Sequence, residues 1–370
     1  MTRPINLLAA LLLGTVSLPG VAVAQQYANS PFYEHTVDLS RAYGLESIGL
    51  RLDLAAAFKA PYDDELIETI EGVTGPAFAR FEGTLEERNP ELAKSLSAAL
   101  HEVSEAVEEG EVPTEAIAEA RELLEQAYGV VIDADLRANP AFKGGIILNL
   151  LLAEEGVAEG YEEAVENNEP WEYPNGWAAL QRVKALWNEV KVSADPEHVA
   201  DGQEMLDLLD TLYPQAQPPA SVAGLNPEEA ESPSQRLGGI VETVVNADLY
   251  PGRDLARLVG HLGELTASAC AVYPKEDEVA AETIYAVFDL YSAHVEQVGG
   301  LFSPEVQERA SGLFGAMIAA DDDDDDDGEE AATTEADNDD GDDDDVALSA
   351  VEACGELAEA FTELKTVFGG

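Results

Sequence analysis

The chain has 370 residues, 46% of them hydrophobic and 7% aromatic, enough apolar material to bury one core or two. Seventy-five Asp and Glu stand against 19 Lys and Arg, a formal net charge of -56 at pH 7. That surplus excludes nucleic acid and anionic membrane surfaces as partners, because both are bound through clustered Lys and Arg.

The charge is not confined to one tail. Residues 321–345 hold 17 acids and no base, yet the other 58 acids still face all 19 bases, of which 12 are Arg and 7 are Lys. Like charges in such number push a compact state apart. A Debye length of about 3 Å in 1 M salt mutes that push, so the composition predicts a salt-adapted, halophile-type surface. Cations or a basic protein are the partners that such a surface favours.

The first 24 residues have the pattern of a secretory signal peptide. Arg3 supplies a basic start, Leu7–Leu13 lies in an apolar stretch, and Ala22-Val23-Ala24 places small residues at the cleavage positions. Removal of residues 1–24 is expected to leave a periplasmic or extracellular chain starting at Gln25. A membrane anchor is opposed by Pro19-Gly20 and by a stretch shorter than the roughly 20 apolar residues of a span. No transmembrane segment is expected after cleavage. Export permits a disulfide between Cys270 and Cys354, the two cysteines of the chain. Closing so long a loop is worth about 4–5 kcal/mol in the chain-entropy model; two separate buried thiols are the alternative.

Apolar residues recur at three- and four-residue spacing, with no convincing run of alternating strand residues, so an all-α fold is expected. Asn89-Pro90 opens a helix carrying Leu92, Leu96, Leu100, Val103 and Val107 on one face. Pro113-Thr114 opens a second through Tyr128, and Pro140 begins a long one running towards Val165. Asn175 is expected to cap a helix through Val190, and Asp195-Pro196 caps the next, with proline at its first position. Pro214, Pro218, Pro219, Pro227 and Pro233 then mark a linker over 214–235. Beyond it the spacing predicts helices near 236–249, 252–272, 276–298, 303–319 and 346–367. The almost wholly polar acidic segment 320–345 is expected to be disordered. The expected architecture is therefore a two-lobed helical bundle: residues 25–213, the linker, and 236–370 with its acidic excursion. Tyr-Pro pairs at 173–174, 213–214, 250–251 and 273–274 read as helix stops, since the residue before proline is steered out of the helical region.

Metal-ligating patterns are few. Acids are one residue in five, so a helical histidine meets at least one acid among its four face neighbours roughly six times in ten. The pairs His101/Glu105, His198/Asp201 and His261/Glu264 are thus no more than chance supplies. His261 and Glu264 are still placed to chelate one cation at i and i+3; the alternative is a solvated stripe of Arg253, Arg257, His261, Glu264 and Ser268. His294, with no carboxylate in helical reach, is expected at the edge of the core. Glu155, Glu159, Glu162 and Glu166 share one helix face, where like charges repel by a few tenths of a kcal/mol per pair unless a cation or salt relieves them. Asp323-x-Asp325-x-Asp327-Gly328 matches the start of a calcium loop, but its twelfth position is Thr334 rather than the required Glu. Non-specific cation accumulation is the better reading there. No Gly-x-Ser-x-Gly, His-Glu-x-x-His or Cys-x-x-Cys motif marks an enzyme.

Asn175-Gly176-Trp177-Ala178-Ala179-Leu180-Gln181-Arg182-Val183-Lys184-Ala185-Leu186-Trp187 resembles the Trp…His-Arg-hydrophobic-Glu…Leu-aromatic helix of imelysin-like proteins. These are periplasmic helical bundles that include iron-uptake components. The likeness covers about a dozen residues and implies an all-α, exported, two-lobed protein. The family's metal-binding His falls on Gln181 and its Glu on Lys184 or is deleted. The family's Gly-x-His-x-x-Glu is approximated by Gly260-His261-Leu262-Gly263-Glu264, which lacks the spacer after the glycine. Without the resemblance, Trp177, Leu180, Val183, Trp187 and Val190 are spaced as a core stripe. The expected function is a salt-adapted binding protein assisting uptake of a metal cation, iron or calcium, with His261, Glu264, Glu155, Glu159 and Glu162 as candidate ligands. The alternative is a helical envelope interaction protein without a small-molecule site.

Overall fold

The computed structural model describes residues 29–59, 64–73, 75–111, 113–153, 156–167, 170–219, 221–222, 224–273, 277–322 and 350–369. Residues 1–24, expected as a signal peptide, most of the acidic segment and Glu155 lie outside them. Among the described residues the fold is all-α, with no strand. In chain order the helices are α1 Pro31–Glu34, α2 Thr36–Ala57, α3 Asp64–Glu71, α4 Pro76–Ala79, α5 Glu82–Arg88, α6 Pro90–Glu108 and α7 Thr114–Val131. Then follow α8 Ala134–Ala138, α9 Pro140–Leu152, α10 Val157–Glu166, α11 Glu172–Val190, α12 Pro196–Leu212 and α13 Glu231–Val245. The chain closes with α14 Leu255–Val272, α15 Asp277–Tyr291, α16 Gln297–Phe302, α17 Pro304–Asp322 and α18 Ala350–Val367. None of the described helices is long and apolar enough to cross a membrane.

Side-chain caps start several helices where the sequence places them. Asn89 accepts from Leu92 N at 3.2 Å, Asn139 from Ala141 N at 2.9 Å and Asp195 from Glu197 N at 2.9 Å, each with proline in the first turn. Three expected boundaries move. The stretch expected as one helix from Pro140 towards Val165 forms two, Pro140–Leu152 and Val157–Glu166, and the Gly156 N–H turns back to the Ala153 carbonyl at 2.7 Å, where a Cβ would not fit. Helix α11 starts at Glu172 rather than Asn175, so Tyr173-Pro174 lies inside its first turn and stops nothing; proline is tolerated there because that N–H has no partner within the helix. The stretch expected as one helix over 276–298 runs as α15, a π-turn at Ser292–Glu296, and α16.

Helix α2 is the hub. Leu39, Ala42, Leu45, Ile48, Leu52 and Ala55 are buried, and so are Ser40, Gly44 and Ser47 on other sides of the same helix. It packs against α4, α7, α9, α11 and α15. After the Pro-rich stretch, α13 packs back on α9 and α12, and α15 on α2, so buried residues from Phe32 to Leu364 form one connected core. Within 214–235, Ala216, Val222 and Ala230 are themselves buried. At the far end α18 packs on α14 and α17, and Cys270 of α14 is bonded to Cys354 of α18, with Cα atoms 5.6 Å apart.

Buried carboxylates join the hub to its neighbours. Glu282 on α15 is fully buried; it accepts from Arg41 Nε at 2.8 Å, Thr84 N at 2.5 Å and Thr84 Oγ1 at 2.7 Å. Burial pushes this carboxyl above its ordinary range, with Arg41 and the Thr84 bonds pulling it back. Two turns along, Asp289 accepts from Ser40 Oγ at 2.6 Å and from Arg80 Nη2 at 2.8 Å, and the Arg80 guanidinium lies over Tyr43 and Tyr285. On another side of α2, Glu46 takes a two-pronged pair from Arg182 at 2.5 and 2.6 Å. Removing one partner of a buried pair strands the other charge. Arg41→Ala is therefore expected to cost about 3–5 kcal/mol, read by chemical denaturation in molar KCl. Replacing Arg41 and Glu282 together by Met and Leu should recover most of that loss. A single variant as stable as the parent would show that Glu282 does not depend on its clamp.

Candidate functional site

Helices α11 and α12 run back along each other after the short turn Lys191–Ser193, so closely that a Cβ at Gly202 would overlap the Trp187 ring. Leu180, Val183, Trp187 and Val190 are buried, as their spacing requires. Trp177, at the head of the same stripe, is only half-buried. With Gln181 and Lys184 it lines an open pocket of about 700 Å³, closed on the other side by Asp210, Tyr213 and the loop through Gln217. Ligand sites commonly fall in the range of roughly 300–1,000 Å³.

The pocket charges are internally paired. Lys184 Nζ donates to both Asp210 oxygens, at 2.7 and 3.0 Å, and to Gln181 Oε1 at 3.3 Å. Both members of the pair are about one-third exposed, at 33% and 39%. Behind them, Tyr213 donates from its hydroxyl to Val157 O at 2.8 Å, and Tyr173 donates to Leu212 O at 2.8 Å. The rings of Tyr161 and Tyr173 pack on Tyr213 at 5.7 and 4.7 Å. Burial raises the Tyr213 hydroxyl well above its ordinary value, so it stays a neutral donor. A Cβ at Gly176 would overlap that hydroxyl, which ties the first turn of α11 to the pocket wall.

The residues singled out in the sequence fall elsewhere. His261 is not on a solvated stripe: the segment 29–36 covers it. Thr36 Oγ1 lies 2.7 Å from His261 Nε2, Tyr33 packs edge-on against the imidazole at 5.3 Å, and Arg257 sits 3.8 Å above the Tyr33 ring. Ser30 Oγ and Tyr33 OH donate to the Asp248 and Pro251 carbonyls, anchoring the same segment. Burial lowers the His261 pKa, Glu264 raising it and Arg257 lowering it further. Glu264 is exposed. Glu159 and Glu162 are half-buried on α10; burial, with Glu166, Glu231 and Glu228 adding repulsion, raises the Glu162 carboxyl. Among the described residues, no three His, Cys, Asp or Glu side chains converge to hold a metal. At the resemblance-bearing helix, Lys184 supplies no metal donor: an ammonium has no lone pair, and Lys184 is tied to Asp210.

Asp210, Tyr213, Gln215 and Gln217 carried no signal of their own. Tyr213-Pro214 reads as a helix stop and the next residues as linker; only the return of α12 along α11 brings them opposite Trp177. Comparison with protein-family models, with curated proteins and with solved structures finds no match for this chain.

His294 gives a pH prediction. It packs edge-on against Phe32, at 6.4 Å, and beside Gly252; burial pushes its pKa down to about 4. The unfolded chain binds this proton near pH 6.5 and the folded chain only near 4, so its contribution is whole above pH 6.5 and is lost as pH falls towards 4. The denaturation midpoint in molar KCl should fall through that window. His294→Phe should flatten that part of the slope, whereas the exposed His101→Gln should leave it unchanged.

Proposed function

We propose that this is an exported, salt-adapted helical binding protein whose small-molecule site is the pocket between α11, α12 and the loop at 213–217. The observation that carries it is the coincidence of the resemblance-bearing residues Trp177, Gln181 and Lys184 with an open pocket walled by Asp210 and Tyr213. Pockets that combine apolar walls with a few convergent polar groups are the usual places for small ligands. The secretory pattern of residues 1–24 and the Cys270–Cys354 bridge support a periplasmic or extracellular location, where disulfides persist. The acid surplus supports a saline one. Asp210 is the one carboxylate among the residues lining the pocket and it is already paired with Lys184, so the ligand is taken as organic rather than a metal cation.

A thermal-shift screen of small-molecule mixtures in molar KCl tests the site. A ligand at a hundredfold its Kd should stabilise the fold by about 2.7 kcal/mol. Gln181→Trp, which fills the pocket, should abolish the shift. Equal stabilisation of the parent and the filled variant would place binding elsewhere and end this reading. Salt adaptation has a separate check: the full chain should lose its cooperative unfolding transition on dialysis to near-salt-free buffer, and an unchanged transition would remove the saline assignment.

A further inference from the structure

We infer that the pocket takes a neutral polyhydroxylated ligand, a mono- or disaccharide; this rests on the pocket being the binding site. The two charged groups that line it, Lys184 and Asp210, neutralise each other. An anion gains Lys184 only by pulling that pair apart and leaving Asp210 uncompensated, and a cation drawn to Asp210 meets the ammonium beside it. A neutral ligand leaves it intact. Asp210 still has capacity to spare, because a carboxylate offers about four lone-pair directions, whereas the three ammonium donors of Lys184 are taken up by Asp210 and Gln181. Asp210 can accept from two adjacent hydroxyls while it holds Lys184. The amides of Gln181, Gln215 and Gln217 line the same space, and each both donates and accepts, as a hydroxyl does.

Trp177 completes the set. An indole face carries negative electrostatic potential, which suits the weakly positive C–H bonds on one side of a sugar ring and gives bare anions nothing. The medium points the same way. With a Debye length of about 3 Å in 1 M salt, recognition has to rest on contact-range hydrogen bonds and stacking rather than on charge attraction. At low salt the chain's net charge of -56 repels anions, and a bare cation meets the Lys184 ammonium inside the pocket.

Calorimetric titration of the full chain in molar KCl tests the inference, with four groups of probes: glucose, galactose, maltose and trehalose; glycine betaine and glutamate; citrate; and calcium and ferric ions. Saturable binding of at least one sugar is expected, with its affinity unchanged within about twofold when KCl is doubled. Trp177→Ala and Asp210→Asn should each weaken it at least tenfold, and so should the loop variant Gln217→Ala, whose exposed position spares the fold. Circular dichroism confirms that each variant is folded. Binding of betaine, glutamate or citrate that Lys184→Met abolishes would keep the pocket as the site and overturn the ligand class. Sugar binding indifferent to Trp177→Ala, Asp210→Asn and Gln217→Ala alike would overturn both.

Discussion

The structure depends on how a chain with four acids to every base uses its few cations. Some pair with acids at the surface, as Arg121 does with Asp53 and Arg309 with Glu363, but others serve inside. Arg41, Arg80 and Arg182 reach buried or half-buried carboxylates on neighbouring helices and fasten α2 in place. Arg253 clamps Glu242 in the same way beside the segment that receives residues 29–33. Arginine suits this use: its planar fork takes both oxygens of a carboxylate and stacks on tyrosine, as Arg80 does between Tyr43 and Tyr285.

Because α2 is wrapped over most of its surface, its clamps set where the other helices can lie. Arg182 holds α11 against α2 through Glu46, and the face of α11 that leads to the pocket is thereby aimed outward. The tyrosine cluster of 161, 173 and 213 then fixes the end of α12 against α10 and α11. Hub, clamp and cluster together place Lys184 opposite Asp210. The disulfide makes the corresponding closure at the other end, joining α14 to α18 across the acidic segment.

Much of the outer framework is legible in the sequence. The helix openings at Asn89, Asn139 and Asp195 are written in side chains that cap their own backbone, a local interaction that needs no tertiary partner. The stripe on α6 is equally plain because one of its faces meets water. Helix α2 is not legible in this way: buried over most of its surface, it has no continuous polar face to set a period against. The break before Val157 is hidden too, since the apolar spacing reads on across it as one helix. His261 shows the converse error. Its helix reads as carrying a solvated polar stripe, and residues 29–36 cover it, because nothing local says which distant segment will lie on a helix face.

By itself, the sequence determined the helical class, the acidic surface, the cap-defined starts and the i, i+3 spacing of Gln181 and Lys184, all of which follow from neighbours along the chain. The tertiary structure alone decided that Lys184 meets Asp210, 26 residues away, that the supposed linker supplies a pocket wall, and that Thr36 lies on His261. The division has a physical cause. Capping and helical periodicity act over a turn or two of backbone, whereas a pocket is the space left where separately formed helices pack.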